Sequence, residues 1–339
     1  MSKAIEVEDL VKVYRNGTRA VDGISFSVDE KEIFGFLGPN GAGKSTTIKT
    51  LVGLIRATSG TLRLRGVDIH RHPGEIKRQT GYASQETAVD DRLTGWENIT
   101  LQGHYYHLPS KEIAQRSEEV LKIFDIYERR KDLADSYSGG MLKRIDIALA
   151  LIHRPAVLFL DEPTLGLDVQ TRTMIWSYID KLRKEYGMTI FITTHYMEEA
   201  DALCDRVAII DHGRIQALDR PGVLKQQIGG DIITVRFSAS NDGAIPALIE
   251  AIQGLTNIKE VGPAQDGIYR IIAVRNGDQL IPKIVELGEQ HAVATESIRL
   301  RRPSLDDVYL KFTGREMRDE EGSREKIGKN RRTQRRLNR

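Results

Sequence analysis

A single cysteine, Cys204, occurs in 339 residues. A lone thiol excludes a disulfide framework and fits a reducing compartment, and its plainest reading is a small buried hydrophobe. Apolar runs are short: Ala156 to Leu160 is typical, far below the ~20 residues that cross a bilayer. Glu6, Glu8, Asp9 and Lys12 interrupt the region where a secretory leader would place its apolar core, so none is expected. No Asn-Lys-x-Asp guanine motif occurs, which argues against a GTPase. Net charge is only +2, and even that is local. Residues 315–339 hold ten Lys/Arg against five Asp/Glu, leaving 40 basic and 43 acidic groups elsewhere. The body therefore carries no electrostatic footprint for nucleic acid. The stretch 328–339, with six basic and no acidic residues, reads as disordered. Anionic lipid is its favoured contact, ahead of RNA or DNA.

What is present describes a globular α/β protein of two domains, with 40% apolar and 29% charged residues. Residues 5–13 and 24–37 read as strands, a glycine-rich turn follows, and Ser45 to Leu54 has helical character. Thr94 and Glu97 fit a capping box, opening a mainly helical insertion to about residue 132. Met141, Ile145, Ala148, Leu149 and Ile152 share one helical face, Pro155 stops that helix, and Ala156 to Leu160 reads as a buried parallel strand. Thr189 to Thr193 is another such strand, and a hairpin is expected around His212-Gly213. Beyond Gly229-Gly230 come strand 232–237, helix 244–253, strands 257–262 and 268–274, helix 278–289 and strand 295–301. That order is the ferredoxin-like pattern. Asp306 and Asp307 read as part of an exposed helix.

Gly38-Pro39-Asn40-Gly41-Ala42-Gly43-Lys44-Ser45, followed by Thr46, matches G-x-x-x-x-G-K-[ST] between a strand and a helix. Its glycines let successive N–H groups face phosphate oxygens, and the helix directs its positive end at the same anion. Lys44 supplies a cation for the β- and γ-phosphates, and the Ser45 hydroxyl can ligate Mg²⁺. Asp161 and Glu162 end a buried strand, where a doubly wound sheet places ligands. Asp161 is the natural Mg²⁺ partner, directly or through water, and Glu162 would then polarise the attacking water. Ser138-Gly139-Gly140, 23 residues before Asp161 when counted from Ser138, opens a helix with bare N–H groups and reads as a second anion-binding surface. Two such surfaces on one chain imply pairing with another chain over ATP.

The whole set resembles the ATP-binding subunit of an ABC transporter, with every expected element in order from residue 3 to about 225. The resemblance implies a P-loop ATPase domain over 1–228, with a helical subdomain over about 86–155. A small ferredoxin-like α+β domain over 229–312 and a charged tail over 313–339 complete the expected organisation. It implies Tyr14 as the adenine-stacking aromatic, Gln85 as the glutamine of the loop that reaches Mg²⁺ and the attacking water, and His195 as the switch histidine. Tyr137 to Met141 falls on the family's signature and Leu165 to Asp168 on the loop after the magnesium-binding strand. The form Tyr-Ser-Gly-Gly-Met and the segment Pro303 to Tyr309 are similar to subunits of the daunorubicin-resistance type. Tyr137 stands where Leu is usual, Met141 where Gln is usual and Val169 where Pro is common. The resemblance further implies ATP and Mg²⁺ as cofactors, an ATP-dependent homodimer and a separately encoded permease at the cytoplasmic face of the membrane. The alternative is a soluble ABC protein acting on ribosomes or DNA, but the chain has neither a second cassette nor a long coiled-coil insertion.

Overall fold

A computed structural model describes residues 2–239, 243–263, 268–274 and 277–314. The basic segment from Arg315 onward, and with it the expected lipid contact, lies outside the described residues. The described chain forms two compact units that meet in sequence at Arg220 and Pro221.

The first unit is organised by a six-stranded sheet. Thr80–Ala83, Val157–Asp161, Thr189–Thr194, Ile33–Leu37 and Arg206–Asp211 lie side by side and parallel. Arg214–Asp219 closes one edge antiparallel. The central strands are buried on both faces, which is why their sequences run apolar without alternation. Four neighbouring strands therefore release their C-terminal ends on one edge, carrying Gln85, Glu162, His195 and the loop beginning at Gly38. This is the edge where parallel α/β sheets place ligands.

A second sheet, ordered Arg19–Asp29, Lys3–Val13, Ser59–Leu64 and Val67–Asp68, is antiparallel. The apolar run 24–37, read as one strand from sequence, is two: it breaks between Asp29 and Ile33, with Lys31 at φ 64°. The first half pairs with Lys3–Val13 and the second enters the parallel sheet. Phe26 from the antiparallel sheet meets Phe34, Phe36 and Phe191 from the parallel one at ring-centroid distances of 5.4, 5.5 and 6.0 Å, and Phe159 joins through Phe191 at 5.6 Å. Burying each such ring contributes roughly 1.5–3 kcal/mol.

Of four further helices in the first unit, two open on the remaining site segments, Ser138–Gly140 and Asp168. Thr94 caps Gly95–Tyr105 through a complete capping box, and Ser110–Ile123 follows. Ser138 caps Gly139–Leu149 by accepting from Met141 N. Val169–Tyr186 is a helix that its apolar content alone does not announce; only Ile175, Ile179 and Leu182 of its 18 residues are buried. Its Asp168 cap and left-handed Gly187 are the signals that mark it.

The second unit runs Asp231–Ala239, Ala244–Gln253, Ile258–Pro263, Ile268–Ala273, Gly277–Gln290 and Val293–Arg301. Its sheet is antiparallel throughout, ordered Ile258–Pro263, Ile268–Ala273, Asp231–Ala239 and Val293–Arg301. Ile233, Val235, Ile271, Leu248 and Ile284 make the core between one sheet face and the two long helices. Pro221–Gln226, which follows the first unit in sequence, belongs here: Lys311 Nζ of the terminal helix Leu305–Thr313 donates to Gln227 O at 2.7 Å. Gly230 has φ 141°, and a Cβ there would lie 1.8 Å from Ala273 O. No described helix is long and apolar enough to cross a membrane.

Candidate ATP-binding site

The loop after Ile33–Leu37 is shaped by its glycines. Gly43 sits at φ 108° with Ala20 O 2.4 Å from where a Cβ would stand, so no other residue fits without displacing backbone. The turn delivers Lys44 into the interior, with 4% of its surface exposed. Its ammonium donates to Gly38 O at 2.7 Å and Pro39 O at 3.1 Å, and pairs with Glu162 Oε1 at 3.0 Å. His195 Nδ1 stands 3.5 Å from the same oxygen. Burial pushes the Glu162 carboxyl up; the His195 ring and the Lys44 ammonium more than reverse this and bring it to about 2. Glu162 also occupies the left-handed region, at φ 49°, a strained conformation fixed by its N–H, which donates to Thr193 O and Thr193 Oγ1.

Ser45 Oγ donates to Asp161 Oδ1 at 3.1 Å, and Thr193 Oγ1 donates to the same oxygen at 2.6 Å. Two hard oxygens at that separation suit neighbouring positions around Mg²⁺, whose ~2.1 Å bonds place adjacent ligands about 3 Å apart. Among the described residues no cluster of three His, Cys, Asp or Glu could hold a metal, so further ligands would come from phosphate, water or an uncharged side chain. Thr193 was not singled out from sequence. Its place one residue before Thr194-His195, on the strand beside Val157–Asp161, was the available signal.

Tyr14 lies just past the first strand, 38% exposed, with its hydroxyl 3.2 Å from Thr46 Oγ1 at the start of the loop's helix. It thus borders the phosphate loop with its ring partly free. Lys44, Ser45, Thr46, Asp161, Glu162, His195 and Tyr14 are brought together. The remaining expected residues are not: among the described residues, no hydrogen bond or ion pair joins Gln85, Ser138, Gly139, Gly140 or Asp168 to Lys44, Asp161 or Glu162.

Of these, Ser138 and Asp168 bond within their own segments. Asp168 accepts from Thr171 N at 2.9 Å and Thr171 Oγ1 at 2.8 Å, and its backbone and side-chain bonds to Thr171 hold its carboxyl below the usual range. Thr171 Cγ2 lies 2.4 Å from the position of a Gly140 Cβ, and Leu167 Cδ2 is 3.8 Å from that of Gly139. The glycine pair therefore also admits the loop after Asp161, a packing reason that the spacing did not reveal. Tyr137 is buried, donates to Arg129 O at 2.7 Å, and lies against Gly95. Its departure from Leu is absorbed inside the helical part.

A phosphate loop facing a Ser–Asp oxygen pair and a strand-end glutamate defines a P-loop nucleoside-triphosphatase. Residues 21–165 match the ABC transporter family model. The daunorubicin/doxorubicin resistance ATP-binding protein DrrA of Streptomyces peucetius is 39% identical, covering 92% of this chain and 93% of that protein. The linearmycin resistance ATP-binding protein LnrL of Bacillus subtilis is 37% identical over 93% of this chain and 100% of its own length. Among solved structures, a dimeric ATP-binding cassette in a post-hydrolysis state, bound to ADP and Pi, superposes with a TM-score of 0.58 at 25% identity, covering 64% of this chain and 98% of that one. The chain belongs to the ABC transporter family, as an ATP-binding protein of the daunorubicin-resistance type. It is an ATPase coupled to transport.

Proposed function

We propose that this subunit works as an ATP-dependent head-to-tail homodimer on the cytoplasmic face of the membrane. There it drives a separately encoded permease that exports drugs or other amphiphiles. One observation carries the dimer: Ser138–Gly140 is a capped, anion-ready helix start with no bond to the Lys44–Glu162 cluster of its own chain. A second copy could place that surface on the same γ-phosphate. The relatives' resistance to daunorubicin, doxorubicin and linearmycin supports a drug-like cargo. Less supported is a soluble role on ribosomes or DNA, since the body carries no basic surplus.

ATP enters with its phosphates on the N–H groups of Gly38 to Thr46 and its adenine against Tyr14. Lys44 exchanges Glu162 for phosphate oxygens, which frees the carboxylate. Glu162 then accepts from the attacking water, while His195 fixes its orientation and faces the γ-phosphate. Ser45, Asp161 and Gln85 would hold Mg²⁺, which supplies charge neutralisation on the β- and γ-phosphates. Asp168 and Ser138–Gly140 act on the partner's site. Charge-assisted hydrogen bonds contribute roughly 1.5–3 kcal/mol each, and moving an equilibrium from 1:99 to 99:1 takes ~5.5 kcal/mol. A few bonds at each of two sites therefore suffice to close the dimer. The second unit, which we read as a ferredoxin-like domain, supports the dimer from outside the chemistry.

Glu162→Gln tests this reading. It should hold ATP without turning it over and elute as a dimer in gel filtration with Mg-ATP. Normal turnover would remove Glu162 from the mechanism, and a monomer under saturating ATP would remove the head-to-tail dimer.

A further inference from the structure

The loop that carries Gln85 is tethered at both ends by one helix. Lys143 Nζ donates to Ser84 O at 2.9 Å, and Asp146 Oδ1 accepts from Ala88 N at 3.0 Å. The two side chains also pair with each other, through Asp146 Oδ2 at 3.2 Å. Asp146 is 2% exposed, and the Lys143 side chain is largely covered. These are half-buried, charged contacts to main-chain groups on either side of Gln85, and Gln85 itself is exposed. The helix that provides them is Gly139–Leu149, whose first turn is the Ser138–Gly140 surface. Asp146 lies eight residues from Ser138, about 12 Å along the axis at 1.5 Å per residue.

We propose that Lys143 and Asp146 are positioning residues that make the Gln85 loop and the Ser138–Gly140 surface move as one body. Resting on the dimer reading above, the two ends of this body serve different ATP molecules. Ser138–Gly140 seats on the partner's nucleotide, and Gln85 faces the nucleotide on its own chain. The clamp therefore links closure at one site to the alignment of Gln85 at the other. Charged tethers to backbone suit this task because they hold position without depending on which side chain the loop presents. An apolar contact could slide. A double hydrogen-bonded grip fixes both ends of a five-residue segment, Ser84 to Ala88.

Three full-length variants test the clamp by steady-state hydrolysis of Mg-ATP, and a double variant tests it by gel filtration. Asp146→Ala removes the Ala88 tether and unpairs Lys143; Lys143→Met removes the Ser84 tether. Each should leave KM within about twofold, lower kcat on the order of ten- to hundredfold through misplacement of Gln85, and flatten the dependence on ATP to a Hill coefficient near one. Asp146→Asn keeps an acceptor for Ala88 N and should recover most of the lost kcat. In the Glu162→Gln background, Asp146→Ala should still form the ATP dimer in gel filtration, because the donors at Ser138–Gly140 are untouched. Unchanged kcat and cooperativity in both tether variants would overturn the clamp. So would a loss that Asp146→Asn does not restore and that tracks only a lower melting temperature. Failure of Glu162→Gln alone to dimerise would overturn the dimer reading instead.

Discussion

Glu162 in the first unit and Asp307 in the second are both buried against cations, and the two are used differently. Asp307, in the second unit, is 3% exposed and saturated: Arg301 binds both oxygens, Arg270 adds a bond at 3.2 Å, and Ser304 N donates at 2.9 Å. Burial raises its carboxyl, and Arg301 with Ser304 N–H brings it below the ordinary value. Glu162, in the first unit, is 6% exposed, and its Lys44 and His195 contacts both fall on Oε1. Its cation is one that phosphate can claim. A carboxylate whose every lone pair is engaged caps a helix; a carboxylate held by a replaceable partner can react. Burial and a lowered pKa do not separate the two, and the number and kind of donors do.

The largest expected effect separates them by chemistry. Glu162→Gln should cut turnover by ~10²–10⁴, measured by phosphate release. Asp307→Ala should act on stability and spare turnover, measured by calorimetry. Leaving Arg301 and Arg270 without their acceptor should cost the second unit about 3–5 kcal/mol, while hydrolysis below its melting point stays within about twofold. Loss of hydrolysis in a folded Asp307 variant would break the comparison.

Acid titration sharpens it. Burial holds the His153 imidazole down to about 4, where it stacks 3.8 Å from Tyr106 and bonds to Thr80 O at 3.0 Å. A depressed folded value means that its stabilising contribution is complete above the unfolded value, ~6.5, and is lost as pH falls toward 4. The first unit should therefore weaken by up to about 3 kcal/mol across that window, and His153→Phe should flatten the slope in urea titrations. Glu162, at about 2, contributes its loss only below the ordinary carboxylate range. The smallest effect is at the rim: Tyr14→Ala should remove about 1–3 kcal/mol of base stacking and raise KM for ATP with kcat retained.

How far the sequence could be read follows from the same contrast. Strand, glycine loop and helix around Lys44 are local, and so is the order of elements after Gly230, where edges agree to within a few residues. The elements that escaped depend on distant partners. Asp307 reads as a residue of an exposed helix because nothing local announces that Arg270, 37 residues away, joins Arg301 and Ser304 on its carboxylate. The run 24–37 looked continuous because apolar character persists through both sheets, and only Lys31 marks the turn. Gly140 was read through phosphate alone, since nothing in its neighbourhood announces Thr171.

The phenylalanine cluster sets a timetable for biosynthesis. Phe26 packs on Phe191, which leaves the ribosome 165 residues later. At ~5–20 residues per second the amino-terminal strands wait roughly ten to thirty seconds for the ring that covers them. Throughout that interval Phe26, Phe34 and Phe36 are a sticky patch on a nascent chain, so chaperone demand during translation should fall on the first half of this protein.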